Sequence, residues 1–390
     1  MATNLPTIPV LDLAVLSDDT KRPEFIALLR YALIDVGFLY LKNHSVPQEL
    51  IDRVCEYVPR LFNIPQEEKD KLLMINSPHF MGFSRLRTEL TGGFIDHREQ
   101  FDFGTTYETR WKPGITPDHW GLWGPSQWPE EDLIPGFRET FETYLTAVHN
   151  ETIQLMSLFA EALQLPSDAF AKFHEPLDKM QSRAKEWSSL LNRSFRTYTS
   201  LVFVDLQIIK YPPTQEGSQQ GFMGNGPHYD AGLVTFVLQL PSPHPALQMQ
   251  LGDEWIDIPP IPGTFTVNLG QSLEYITQGA VRATYHHVVS SPIGSDARYA
   301  LPFFQGCRLE VCLADEVLDI PPEILKLRDQ RKYPIKTDPV RDKELYSHPS
   351  GYVVFLRGIK SHPDISERHY PTLFKEYFPD GKPKQLNIAY

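Results

Sequence analysis

Two histidines and one aspartate have the residue types and the spacing of a metal site. His228 and Asp230 lie in the stretch GNGPHYDAGLVTFVLQL (224–240), where a glycine-rich loop is predicted to enter a core strand. Residues two apart on an extended backbone face the same side, so both side chains are expected to point into one cavity. His286 lies in a second apolar run, RATYHHVVS, and its neighbour His287 is expected to face the opposite way. Two histidines and one carboxylate form the facial triad of non-heme iron(II), which leaves coordination positions open for chemistry.

Spacing alone leaves other interpretations of these residues open. Zinc also accepts histidine and aspartate ligands, although it prefers four-coordinate sites and hydrolytic chemistry. Alternatively, His228 belongs to a polar loop and His286 is a buried histidine with an ordinary hydrogen-bonding partner. A histidine two places before an acidic residue also occurs in the pairs His97/Glu99, His149/Glu151 and His362/Asp364. The first of these pairs lacks an evident third ligand, the second lies inside a predicted helix, and the third reads as a helix start.

The segments around the triad predict a β core with helices packed on it. In the first third, IPVLDL (8–13) and FLYLK (38–42) are typical of strands, and residues 23–36 are typical of a helix that ends at Gly37. A long amphipathic helix is predicted from Gly136 to Leu165. After residue 200, short runs rich in β-branched and aromatic residues alternate with turn signals, which favours a sandwich or jelly roll.

The same segments predict three regions within one compact catalytic unit. Residues 1–165 are expected to form an N-terminal α/β region that packs on the core. Residues 166–320 are expected to form the catalytic jelly-roll core, and residues 321–390 a C-terminal helical segment. No internal repeat or low-complexity tract interrupts this arrangement.

Composition excludes several classes of protein. Apolar residues make up 41% and charged residues 22% of the chain, as expected for a folded globular protein. The net charge of −12, without a basic stripe, argues against a nucleic-acid partner. No apolar run is long enough to span a bilayer, and the N-terminus lacks a signal-peptide pattern. Three cysteines are too few for a disulfide framework. We therefore expect a cytoplasmic protein, without a membrane partner, that acts as a monomer.

The order of the motifs resembles the isopenicillin N synthase-like family of iron(II)- and 2-oxoglutarate-dependent dioxygenases. The motifs are YPP (211–213), HYD (228–230), VNLGQSLEYITQG (267–279), HHV (286–288) and RYALPFF (298–304). The segments IPVLDL, GFLYLKNHSVP, DHREQFDFG and SHPDISERHYP extend the likeness, in particular to fungal members, over nearly the whole chain. The resemblance implies an α+β fold with a distorted jelly-roll core (a double-stranded β-helix) flanked by helices.

The resemblance also implies roles for individual residues. His228, Asp230 and His286 match the catalytic iron ligands. Arg298 matches the arginine that pairs with the distal carboxylate of 2-oxoglutarate, a task suited to a planar guanidinium. Tyr211 matches a tyrosine that hydrogen-bonds the same cosubstrate.

The chain departs from the family pattern in three places. The usual Arg-x-Ser motif ends here in Ala300, so one hydroxyl contact to the carboxylate is missing. The asparagine expected before the tyrosine is absent from IKYPP, and His287 replaces an arginine. The Arg-x-Ala pattern resembles ethylene-forming enzymes, and GFSRLRTELTGG (82–93) is similar to their substrate-binding loop, with Glu89 and Thr91 at matching positions.

The implied activity is the oxidation of a small molecule coupled to conversion of 2-oxoglutarate and O2 into succinate and carbon dioxide, with ascorbate as reductant in vitro. Hydroxylation, desaturation and cyclisation, in secondary metabolism, are the expected outcomes. If Arg85, Arg87, Glu89 and Thr91 line the pocket, an amino acid or another zwitterion fits it. If they belong to a solvated loop, a neutral metabolite fits as well.

Three alternatives stay open at this point. Ala300 leaves room for a 2-oxoglutarate-independent oxidase of the isopenicillin N synthase type, or for an ethylene-forming type of enzyme. A non-catalytic small-molecule receptor on the same fold is the third alternative.

Overall fold

The computed structural model describes residues 7–104, 108–174, 202–214, 223–334 and 344–383. Its strands form two main sheets and one short hairpin. The strands are β1 (Val10–Asp12), β2 (Phe38–Lys42), β3 (Gly82–Ser84), β4 (Leu90–Thr91), β5 (Phe94–Ile95), β6 (Glu99–Gly104), β7 (Val202–Tyr211), β8 (Met223–His228), β9 (Val234–Gln239), β10 (Leu247–Leu251), β11 (Glu254–Asp257), β12 (Thr264–Leu269), β13 (His286–Val289) and β14 (Arg298–Arg308).

Helices flank the sheets on the outside. They include α1 (Arg22–Tyr31), α2 (Gln48–Phe62), α3 (Gln66–Lys71), α4 (Phe137–Ala162), α5 (Gln271–Ile276), α6 (Pro322–Asp329), α7 (Ser350–Ser361), α8 (Pro363–His369) and α9 (Pro371–Tyr377). A π-helical turn, Ala32–Val36, continues α1 to Gly37, whose φ of 77° ends the helix as predicted.

The larger sheet has eight strands in the order β1-β2-β12-β9-β14-β7-β6-β3, and the smaller sheet has four in the order β11-β10-β13-β8. Strands from the N-terminal part of the chain therefore pair directly with strands of the core. The jelly-roll fold flanked by helices confirms the predicted α+β class. The proposed division at residues 165 and 320 stays a prediction. Strands from both sides of residue 165 pair in the same eight-stranded sheet.

Alternation along the strands builds two separate cores. On β7, Leu206 and Ile208 belong to the outer core, which packs the larger sheet against the helices. Ile209 and Tyr211 of the same strand belong to the inner core, together with Val288 of the smaller sheet. Successive side chains of a strand point to opposite faces, so one strand serves both cores. The inner core marks the space between the two sheets, where the jelly roll holds its site.

The stretch around Gly224 and Gly226 differs from the prediction. We expected a glycine-rich loop there, but residues 223–228 form β8 itself. A Cβ on Gly226 would lie 2.4 Å from the carbonyl oxygen of Thr91, so the β4–β5 hairpin can approach β8 only where a glycine stands. The loop-like composition thus reflects close packing of backbone on backbone.

Candidate metal centre

The two histidines of the predicted triad face each other across a strand pair. His286 begins β13 and His228 ends β8, and the two residues are register partners in the antiparallel ladder. Asp230 lies just past β8, in the turn before β9. The two side chains nevertheless approach each other, with Nε2 of His228 3.4 Å from Oδ1 of Asp230. One ligand atom from each of the three residues lies within 4.8 Å of the other two.

Backbone carbonyls orient both imidazoles. Nδ1 of His228 is 2.7 Å from the carbonyl oxygen of Gly226, and Nδ1 of His286 is 2.9 Å from that of Thr284. A carbonyl oxygen only accepts hydrogen bonds, so each Nδ1 carries the proton and each Nε2 presents a lone pair. The two Nε2 atoms lie 3.4 Å and 3.6 Å from Oδ1 of Asp230. Three unprotonated donor atoms thus converge on one point, which is what a divalent metal requires.

Asp230 is held in its ionised form. Burial alone would raise its pKa, but His286, His228 and a hydrogen bond from Thr235 outweigh burial, and the pKa lies well below its usual range. Its Oδ2 accepts hydrogen bonds from Thr235 Oγ1 at 2.5 Å and from Asn268 Nδ2 at 2.6 Å. These two donors occupy one carboxylate oxygen and leave the other to face the histidines.

The triad is enclosed on one side and open on the other. The side chains of Asp230 and His286 are 5% and 7% exposed, whereas that of His228 is 22% exposed. Burial and the neighbouring His228 lower the pKa of His286 to about 4, which keeps its imidazole neutral near pH 7. Access to the centre is therefore from the His228 side.

The other candidate histidines lie apart from the triad. His287 points to the opposite face of β13, where its ring stacks on Trp255 at 3.7 Å and its Nε2 meets Gln248. Nδ1 of His97 accepts a hydrogen bond from Arg87. His149 contacts Gln305 from within α4. Among the residues the structure describes, one group of three or more side chains could hold a metal ion. It consists of His228, Asp230 and His286.

Arg298 and Tyr211 are register partners on β14 and β7, so their side chains lie side by side in the inner core. The guanidinium of Arg298 lies 5.1 Å from the centre of the tyrosine ring and donates to Gln239 Oε1 at 2.8 Å. The residue is 4% exposed, and burial lowers its pKa. Its Nη1 has no hydrogen-bonding partner within the described part of the chain. A buried cation with a free donor requires an anion, and the carboxylate of 2-oxoglutarate fits that requirement.

The cluster on the loop at residues 85–91 divides between several partners. Arg85 pairs with Asp70 of α3 at 2.9 Å, and Thr91 donates to Asp96 at 2.6 Å. Arg87 contacts His97. Glu89 is 8% exposed and is therefore not part of a solvated loop.

Arg98 is the residue of this region that the sequence analysis missed. Its Nη2 lies 2.8 Å from Glu89 and 3.1 Å from Asp96, and both Arg98 and Tyr211 are buried. Asp96 in turn accepts the backbone N–H of Gly226, two residues before His228. Arg98 also makes a side-chain hydrogen bond with Tyr211, so the buried ion pairs hold both this tyrosine and the strand that carries His228. The charged pattern of DHREQFDFG was visible in the sequence, but the direction of its side chains was not.

Comparison with known proteins agrees with this geometry. A family model described as the 2OG-Fe(II) oxygenase superfamily matches residues 203–306, and one described as the N-terminal region of a non-haem dioxygenase in morphine synthesis matches residues 8–131. The 2-oxoglutarate-dependent dioxygenase frbJ of Dothideomycetidae sp. (strain 11243) is 37% identical over 94% of this chain and 93% of its own length. A 2-oxoglutarate-dependent dioxygenase of Gibberella zeae is 30% identical over 96% of this chain and 94% of its own.

A solved structure of similar fold is the full-length Neurospora crassa T7H in complex with alpha-KG and thymine. It has a TM-score of 0.65 and 21% sequence identity, and covers 92% of this chain and 98% of its own. None of the helices in the described ranges combines the length and the apolar character that a membrane span needs.

Proposed function

Because this chain belongs to the 2OG-Fe(II) oxygenase superfamily, we propose that His228, Asp230 and His286 bind its catalytic iron(II), and that Arg298 and Tyr211 bind 2-oxoglutarate. Membership makes the protein an iron(II)- and 2-oxoglutarate-dependent dioxygenase that oxidises a small molecule. The observation that carries the assignment is the convergence of three unprotonated donor atoms within 4.8 Å.

Bound iron(II), with 2-oxoglutarate and O2, supplies the oxidising power that breaks a C–H bond of the substrate while succinate and carbon dioxide form. The chain's own residues prepare that chemistry. Thr235 and Asn268 fix the carboxylate of Asp230, and the carbonyls of Gly226 and Thr284 fix the two imidazoles. Fixed ligands need little reorganisation when the metal binds.

Arg298 and Tyr211 supply the other half of the site. Nη1 of Arg298 is free to donate to a carboxylate, while Gln239 fixes the guanidinium through Nη2. Ala300 lies in the inner core, on the same face as Arg298, and offers no hydroxyl there. Tyr211 is the neighbouring hydroxyl donor, so we assign it the polar contact that a serine makes elsewhere.

We propose an amino acid or an amino-acid derivative as substrate. Relatives named homoarginine-6-hydroxylase in Glycine max and Arabidopsis thaliana are 27% and 28% identical, and relatives named 1-aminocyclopropane-1-carboxylate oxidase in two Dictyostelium species are 27% identical. Arg85, Arg87, Glu89 and Thr91 remain the proposed substrate-loop residues. Among them we favour Thr91, on the hairpin that packs against β8, and the buried Glu89, which directly precedes that hairpin.

We further propose that the protein works as a monomer in the cytoplasm, without nucleic acid or membrane. The acidic net charge of −12 supports the absence of a nucleic-acid partner. The exposed large apolar side chains of the described residues come from many separate elements, which supports the monomer. Light scattering of the purified protein tests the oligomeric state.

The direct test of the activity is succinate release. Purified protein with ferrous iron, 2-oxoglutarate and ascorbate is expected to form succinate, slowly without substrate and faster with the correct one. Absence of succinate across a broad panel of amino acids and metabolites, with iron shown to be bound, contradicts the proposal. Micromolar binding of 2-oxoglutarate to the anaerobic iron protein, lost in Arg298→Ala, excludes an oxidase that uses the substrate alone.

A further inference from the structure

The inner face of the larger sheet carries a group of polar side chains that the iron and 2-oxoglutarate sites do not use. On β7, Asp205 and Gln207 share the face of Ile209, because alternate residues of a strand point the same way. On β6, Asp102 is the register partner of Gln207. We refer to Gln100, Asp102, Asp205 and Gln207 as the acidic end of the interior.

Two acceptors in the acidic end have no donor. Asp102 accepts from the side-chain amides of Gln100 and Gln207, both at 2.9 Å. Oδ1 of Asp205 and Oε1 of Gln100 are buried, and the described part of the chain gives them no hydrogen-bonding partner. The side chain of Gln100 is 0% exposed, whereas that of Asp205 is only partly buried. Buried acceptors without donors call for a donor from outside the protein, and a bound ligand can supply that donor.

No cation of the described residues forms an ion pair with Asp102 or Asp205, although Arg98 acts on Asp102 from a distance. Arg98, the nearby cation, is already paired with Glu89 and Asp96. Burial, then Asp205 and Glu89, raise the pKa of Asp102 well above its usual range. Burial and Glu89 raise the pKa of Asp205 to about 7. Two carboxylates that resist ionisation in this way are stabilised when a cation binds between them.

Strand register relates the acidic end to the metal centre. Phe304 of β14 pairs with Asp205 on one side and with Thr235 on the other. Adjacent strands lie about 4.8 Å apart, so Asp205 is roughly 10 Å from Thr235, which holds the ligand Asp230. Arg298 lies six residues before Phe304 on the same strand, or roughly 20 Å away. The interior therefore has a cationic end, suited to 2-oxoglutarate, and an acidic end on the metal side.

We propose that the acidic end binds a cationic amine or guanidine group of the substrate, and that Asp102 and Asp205 determine this specificity. The inference rests on the proposed function, because it places the substrate in the same interior as the iron. Such a cation donates N–H groups to Oδ1 of Asp205 and to Oε1 of Gln100, and it neutralises the carboxylate pair. A neutral substrate would leave the carboxylates without a counter-charge.

The test uses methylguanidinium chloride as the cation and methylurea as its neutral isostere. Each is titrated, at matched ionic strength, into the anaerobic protein loaded with iron(II) and 2-oxoglutarate. We expect methylguanidinium to bind at least about tenfold more tightly than methylurea and to raise the melting temperature further. Asp102→Asn and Asp205→Asn are expected to lose most of this preference. Asp253→Asn, at an exposed turn of the smaller sheet, is expected to keep it.

Proton release provides a measurement that needs no variant. If the cation displaces a proton shared by Asp102 and Asp205, the binding enthalpy of the wild-type protein changes with the ionisation enthalpy of the buffer. Equal binding of the two probes, or an equal response of the aspartate variants and the wild type, overturns the inference. Failure of the loaded protein to bind 2-oxoglutarate contradicts the proposed function instead, so the two failures are distinguishable.

Discussion

Asp230 is buried and Asp205 is half-buried in the same interior, yet their environments shift their pKa values in opposite directions. Two hydrogen-bond donors and two histidines hold the pKa of Asp230 well below its usual range. Asp205 has a buried oxygen without a donor, and its pKa is raised to about 7. A carboxylate that the protein itself stabilises is ready to bind a metal. A carboxylate left uncompensated is ready to bind a cation that arrives with the substrate.

The largest expected effect is on iron binding, when Asp230 or one of its two histidine partners is replaced. His228→Ala, Asp230→Ala and His286→Ala are each expected to abolish iron binding, because two remaining ligands hold a labile ion poorly. His287→Ala and His97→Ala are expected to keep the iron, since both side chains have partners away from the triad. Iron content after anaerobic reconstitution measures all five variants. Loss of iron from His287→Ala with retention in His286→Ala would reverse the assignment of the strand faces.

The next effect concerns the cationic end of the interior. Arg298→Ala is expected to weaken 2-oxoglutarate binding by about 30-fold or more, because it removes the partner of a buried carboxylate. Arg308 lies on the same strand and donates to the carbonyl of Lys172, so Arg308→Ala serves as the matched control. Calorimetric titration of the anaerobic iron protein gives both affinities. An unchanged affinity in Arg298→Ala would mean that another cation binds the cosubstrate.

A smaller effect is expected from the donors that distinguish Asp230 from Asp205. Thr235→Val removes one donor to Asp230 with little change of shape, and we expect about 10-fold weaker iron binding. Thr277→Val is the control, because that buried hydroxyl contacts only backbone in and after α5. Competition with a chelator measures the iron affinity. Equal affinities in the two variants would show that Thr235 does not position the carboxylate.

The candidate residues of the metal and 2-oxoglutarate sites were largely predictable from the sequence, and those of the acidic end were not. His228, Asp230 and His286 stand in short motifs whose residue types already limit the chemistry, and Arg298 and Tyr211 stand at fixed places on apolar strands. These five side chains lie in one interior because the chain folds into a jelly roll, and the order of the motifs along the sequence indicated that fold. The iron and cosubstrate roles of these particular residues remain proposals for the experiments above.

The inward orientation of Asp102 and Asp205 could not be predicted from the sequence, because it depends on how the strands pair. In DHREQFDFG and VFVDLQIIKY, a polar residue between apolar ones is equally typical of a solvent-facing strand. Only the register of β6 with β7 shows that this face is the interior. The prediction of a loop at Gly226 was wrong for a similar reason. The glycine is required by the close approach of Thr91, which is distant in the sequence.

The smallest expected effect is on the thermal stability of the protein. Its dependence on pH is expected to differ in sign between Asp205 and Asp230. A carboxyl group whose pKa is raised by folding binds a proton more tightly in the folded state than in the unfolded state. Its contribution to stability is therefore present at low pH and is lost as pH rises from about 4, the unfolded value, through about 7, the folded value of Asp205. Asp230, with a lowered pKa, has the opposite dependence.

Asp205→Asn is thus expected to exceed the wild-type melting temperature only slightly at pH 5, where a part of the contribution is already lost, and by about 1–3 °C at pH 8. The asparagine keeps the shape of the side chain but cannot acquire the charge that Glu89 and Asp102 oppose. Arg98 faces the same group, and it is unchanged in both proteins. Melting curves of the iron-loaded protein at both pH values, beside those of Asp253→Asn, give the difference. Burial and Asp205 raise the pKa of Asp102 as well, so Asp102→Asn should show the same sign. A difference independent of pH in both variants would mean that the pair is ionised without a ligand, and that its counter-charge is already within the protein.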